Sequence, residues 1–133
     1  MNKIICPKCQ AVLNPDNNIV LSAKKDDNKW GLVLLSSELG NYTALTHEDF
    51  VVKEGEFVEF HCPACHYKLS TVAPDKNLAV FEMIDEEQVN STIIISAIAG
   101  EKCTYKITEG SIESHGKDSE KYKFIYQNLV DLV

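Results

Sequence analysis

Four of the five cysteines in this chain fall into two copies of one short pattern, Cys6-Pro7-Lys8-Cys9 and Cys62-Pro63-Ala64-Cys65. Two residues between thiols let a tight turn aim both sulfurs at one ion, and two such turns supply four ligands. Four thiolates about 2.3 Å from Zn²⁺ complete its tetrahedron and leave no position for water or substrate. A chain built this way must bring residue 62 back to residue 6. The stretch from Gln10 to His61 therefore has to carry secondary structure of its own, because a loop of that length without structure is improbable in a compact domain.

The two knuckles, with the residues around 3–13 and 57–70, resemble those of zinc-ribbon proteins, which commonly read Cys-Pro-x-Cys. The resemblance implies a structural Zn²⁺ held by Cys6, Cys9, Cys62 and Cys65, and a fold element more than an activity. The chain departs from the family in two ways. Ribbon knuckles often place glycine after the second cysteine, where positive φ is favoured; here Gln10 and His66 stand there. The interval between the pairs is also much longer than in common zinc-site signatures.

Other readings of the cysteines remain open at this point. A Cys-x-x-Cys redox pair opens a helix after a strand, whereas Ala11-Val12-Leu13 and Tyr67-Lys68-Leu69 lead into turn or strand signals. Disulfides belong to oxidising compartments, and the start at Met1 shows no signal peptide. Iron, as in rubredoxin-like electron carriers, suits the same four sulfurs. His61 and His66 flank the second knuckle and are read as outer groups near the site, since the thiols already suffice. His47 and His115 carry no motif. Cys103, between Lys102 and an outward-looking Thr104, is expected to be a buried, inert thiol.

The formal charge is −7, and Zn²⁺ with four thiolates takes it to about −9. All thirteen basic residues are lysine, so the bidentate fork that arginine offers to phosphate and guanine is missing. Both features disfavour nucleic acid, although Lys24, Lys25, Lys29 and Trp30 form a small basic-aromatic tip. No apolar run is long enough for a transmembrane helix. Without targeting motifs the cytoplasm is the expected compartment.

The fold expected is mainly β (a small α+β protein): a zinc-ribbon-like site, antiparallel sheets and a C-terminal helix. Strands are read at 3–5, 11–13, 19–23, 30–35, 57–60, 67–70, 78–84, 91–97, 104–107 and 112–114, with 19–23 and 30–35 as a hairpin. The β-branched run at 91–95 marks the centre of the second sheet. Beyond the cysteines, similarity between the two strand–knuckle–strand units is too slight to read as a repeat. The chain divides for convenience into 1–73, the ribbon with its long insertion, and 74–133, a β-rich region, a boundary that need not separate independent domains. Tyr122, Ile125, Tyr126, Leu129, Val130 and Val133 recur at helical spacing, with Ser119 as a cap.

No phosphate loop, nucleophile elbow or His-Glu-x-x-His helix is present, and the acidic pairs lie in turns. A closed metal site in a small chain favours a non-enzyme. The expected function is a non-catalytic zinc-binding module that engages a protein partner. The alternatives are a nucleic-acid-binding ribbon and a thiolate sensor or iron electron carrier.

Overall fold

The computed structural model describes residues 2–125. Nine strands follow in order: β1 (Lys3–Ile5), β2 (Asn18–Lys24), β3 (Trp30–Ser36), β4 (Ala44–Thr46), β5 (Glu59–His61), β6 (Leu78–Ile84), β7 (Asn90–Ser96), β8 (Thr104–Thr108) and β9 (Ser111–His115). They form two antiparallel sheets, ordered β4-β3-β2-β5 and β1-β6-β7-β8-β9. Alternation explains the first hairpin. Ile19, Leu21 and Ala23 of β2 are buried while their neighbours are half-exposed, the pattern of a sheet with one face in the core. β7 lies at the centre of the five-stranded sheet, with Ile93 and Ile94 buried on opposite faces.

The chain is an internal duplication. Cys6 and Cys9 recur as Cys62 and Cys65, fifty-six positions on, and β1 recurs as β5 at the same interval. The hairpin β2–β3 recurs sixty positions later as β6–β7, and β4 as β8. Hydrogen bonds repeat with the residues. Leu13 N–H donates to Ile4 O at 2.7 Å, and Leu69 N–H to Phe60 O at 3.0 Å; Ser37 N–H donates to Asn17 O and Ala97 N–H to Asn77 O. The hairpin turns match as well, with Lys25 N–H bonded to Lys29 O and Asp85 N–H to Val89 O. Each turn places a non-glycine residue at positive φ, Asn28 at 65° and Gln88 at 66°.

The two copies exchange their first strands. β1, from the first copy, pairs with β6 of the second, Lys3 opposite Ile84 and Ile4 opposite Met83. β5, from the second, pairs with β2 of the first, Glu59 opposite Lys24 and Phe60 opposite Ala23. The registers are equivalent position by position. Such reciprocal exchange is the relationship found across a two-fold axis, here inside one chain. One apolar cluster lies between the sheets, with Ile4, Leu21, Val33, Phe60, Phe81 and Ile93 among its members.

Three expectations are corrected. The similarity between the halves is a structural repeat through four strands of each, β9 and the 3₁₀ segment standing outside it. It is hidden because equivalent inner positions keep their burial and change their residues: Leu21 answers Phe81, and Val33 answers Ile93. The C-terminal helix is the second correction. Ser119–Ile125 is a 3₁₀ helix, and the described residues contain no α-helix, so the α+β element of the class falls and mainly β stands. Tyr122 is buried against the second sheet with Leu78, Val80, Ile94 and Tyr105, and the Tyr105 hydroxyl donates to Ser119 O. These contacts hold the segment in place locally; Tyr126, Leu129, Val130 and Val133 of the expected face lie outside the described residues. Finally, the segments read as strands 11–13 and 67–70 form only isolated bridges, Ile5 to Val12 and His61 to Lys68.

Candidate metal centre

Each knuckle is a turn held by its own backbone. Gln10 N–H donates to Cys6 O at 3.1 Å, and Cys6 N–H to Ala11 O at 3.0 Å. The second knuckle repeats this with His66 N–H to Cys62 O at 2.9 Å and Cys62 N–H to Tyr67 O at 3.0 Å. Closing these turns requires the left-handed conformation just after the second cysteine. Gln10 and His66 both adopt it, at φ 67°, where the resembled family often uses glycine. The conformation is thus kept without the residue that reaches it at least cost.

The structure brings all four predicted thiols together, each sulfur within 4.8 Å of the others. Cys6 Sγ stands 3.8 Å from Cys65 Sγ, and Cys9 Sγ 3.8 Å from Cys62 Sγ. A tetrahedron with sulfurs about 2.3 Å from its centre has edges of about 3.8 Å. The contacts also cross the repeat, one cysteine from each knuckle. The site therefore joins the two copies through the knuckles that directly follow their exchanged strands.

The surroundings suit thiolates. Lys8 and Cys9 N–H groups point at Cys6 Sγ (3.4 and 3.5 Å), and Ala64 and Cys65 N–H groups at Cys62 Sγ (3.3 and 3.5 Å). Such donors stabilise negative sulfur and fix its direction. Cys6 and Cys62 are fully buried, while Cys9 is exposed and Cys65 half-buried. Burial pushes the Cys62 thiol up to about 12 and the Cys6 thiol upward, each partly opposed by those N–H groups. The Tyr67 N–H holds Cys65 below the usual thiol range. The four sulfurs converge at tetrahedral spacing with backbone N–H groups aimed at the two inner ones, so the donor set fits a bound metal ion and the residues that would hold it are Cys6, Cys9, Cys62 and Cys65.

Among the described residues, no other group of three or more His, Cys, Asp or Glu side chains converges. His61 does not join the sulfurs: Nε2 is 2.7 Å from Glu59 Oε1 and Nδ1 is 3.0 Å from His66 O. Trp30 packs edge-on to its ring, with centroids 4.9 Å apart. Cys103 is buried, and its thiol is pushed up to about 11 by that burial. Thr104, read as outward-facing, is buried too, its hydroxyl 2.9 Å from that of Tyr42. No helix among the described residues is long and apolar enough to cross a membrane.

Comparisons with protein-family models, with curated proteins and with solved structures find no match. The functional reading rests on the geometry.

Proposed function

We propose that this chain is a non-catalytic binding module in which one structural Zn²⁺ clamps two duplicated halves, and that it works by engaging another protein. The carrying observation is the convergence of one buried and one outer thiol from each half. Four sulfurs fill a tetrahedron, so the metal has an architectural role and offers no open position for chemistry. Structural zinc contributes about 10–16 kcal/mol in small finger peptides, a useful supplement for halves that own only four and five strands.

The contrast between the two outer sheet faces supports the partner reading. On the five-stranded sheet, Tyr122 covers Val80, Ile94 and Tyr105. The equivalent positions on the other sheet are Val20, Leu34 and Leu45, and there Leu45, Leu32 and Trp30 are each more than half exposed. Contiguous exposed apolar residues on one sheet face are a feature of interaction surfaces. Nucleic acid is the weaker reading. Lys24 lies 3.7 Å from Glu59 and Lys25 3.3 Å from Glu56, while Lys29 Nζ donates to Asp49 O. The basic tip is already engaged within the chain.

Elemental analysis of protein purified without added metal or chelator tests the centre: one zinc per chain is expected. Iron would instead establish an electron-transfer site, and cysteines oxidised in pairs without metal would overturn the centre. The partner reading is tested by the double variant Leu32→Glu/Leu45→Glu. Loss of a co-purifying protein with zinc content unchanged is expected; equal recovery by wild type and variant would overturn it.

A further inference from the structure

Between the sheets the apolar cluster leaves a cavity of about 330 Å³. Its walls come in pairs related by the duplication: Ile4 with Phe60, Val33 with Ile93, Leu35 with Ile95. Interior packing elsewhere in proteins leaves few voids larger than a water molecule. An apolar hole of about 150 Å³ already stays dry and admits benzene, and small-molecule pockets begin at about 300 Å³. The lining also includes Glu38, Gly40, Asn41 and Lys102, all exposed, so the cavity reaches solvent beside the segments 38–43 and 100–103.

The charged groups of the lining lie at this rim or are already engaged. Glu38 and Lys102 face solvent, and Glu101 accepts from Ser96 Oγ (2.6 Å), from the Tyr122 hydroxyl (2.8 Å) and from Lys121. Past the rim the walls are mostly hydrocarbon, the hydroxyls of Ser96, Tyr42 and Thr104 being bonded within the chain, and an ion placed there would find no opposite charge. Small residues, Ala97, Ala99 and Gly100, keep this end open.

We propose that the cavity is a binding site for a neutral, apolar small molecule, about the size of a fused two-ring aromatic or a medium-length alkyl chain, entering between Gly40 and Gly100. The site sits where the duplicated halves face each other. It is independent of what covers the outer face and of which metal fills the thiolate centre.

The test uses the neutral fluorophore N-phenyl-1-naphthylamine with the full metal-bearing chain. Wild type should give saturable, one-site fluorescence enhancement. Ile95→Trp and Ala97→Leu, which fill the cavity from neighbouring positions on its β7 wall, should each weaken binding at least ten-fold with metal content unchanged. Leu45→Glu, on the outer face, should leave binding intact. Should neither filled variant fold, methyl shifts of Val33 and Ile93 on titrating wild type decide: movement confined to these and their neighbours supports the site, and unmoved methyls overturn it. Absence of saturable enhancement in wild type, unchanged affinity in both folded filled variants, or loss of binding in Leu45→Glu would each overturn the proposal while leaving the metal centre standing.

Discussion

The sulfurs of Cys9 and Cys62 lie 3.8 Å apart although 53 residues separate them. Each belongs to a different copy of the repeat, so an ion between them is held by both halves. Removing one thiolate should therefore loosen the whole chain. Cys62→Ser is expected to lose the metal and cost at least about 3 kcal/mol, whereas Cys103→Ala, which empties only part of a buried site, should cost about 1–2 kcal/mol. Urea unfolding followed by Trp30 fluorescence checks this. Equal tolerance of the two substitutions would remove the structural role of the site.

Thiol reactivity separates the same two classes of cysteine. Cys103 is 1% exposed and burial lifts its thiol to about 11, so little thiolate is available at neutral pH. Under native conditions with metal bound, brief treatment with iodoacetamide should leave all five cysteines unmodified. After chelation the outer thiols of Cys9 and Cys65 should react first, those of Cys6 and Cys62 only as the knuckles loosen without their metal, and Cys103 only on unfolding. Intact-mass spectrometry counts them. Modification of Cys103 in the native protein would show that the second sheet opens easily.

Much of this was legible in the chain because it depends on local chemistry. Two residues between thiols define a knuckle, and alternation in 19–23 defines a half-buried strand. The β-branched run at 91–95 placed β7 at the centre of its sheet. The exchange of β1 and β5 was not legible, since pairing partners are chosen by long-range packing and not by either strand's own residues. The duplication did leave a trace: the turn glycines Gly40 and Gly100 share the sixty-position interval of the hairpins, at φ 87° and 89°. The helical spacing after Ser119 misled because i, i+3 contacts also satisfy a 3₁₀ turn. There Tyr122 had a ready-made surface in Leu78, Val80 and Ile94. The cavity left no signal, as Val33, Leu35 and Ile95 look like any core positions.

One break in the duplication predicts a local sensitivity. Gly31 faces Phe50, and a Cβ placed on Gly31 would lie 2.4 Å from the Phe50 ring. The equivalent residue in the second half is Ser91, whose hydroxyl is 2.9 Å from that of Thr108. Phe50 thus uses space that a missing side chain provides. Gly31→Ala should displace the buried ring and cost about 1–3 kcal/mol. Adding Phe50→Leu to Gly31→Ala should cost less than the sum of the single changes, because both act on one contact. Strict additivity in chemical denaturation would place the ring elsewhere.

Glu101 ties the 3₁₀ segment to the second sheet and gives the protein an acid-sensitive contact. Its carboxylate accepts from Ser96, Tyr122 and Lys121. Burial pushes the carboxyl up, but the bonds from Lys121, Ser96 and Tyr122 outweigh it and hold Glu101 below the usual carboxylate range. The direction fixes the sign. A folded value below the unfolded one, about 4.3, contributes stability that is complete above that pH and is lost as pH falls through the folded value. Glu101→Gln keeps an acceptor for the two hydroxyls and removes the charge facing Lys121, which should cost about 1–2 kcal/mol at pH 7. Below about pH 4.3 the wild type should lose stability faster than the variant, so the difference between them shrinks. Paired unfolding curves from pH 7 to pH 3 read this directly; a difference that stays constant across that range would mean the carboxylate's charge contributes nothing to holding the segment.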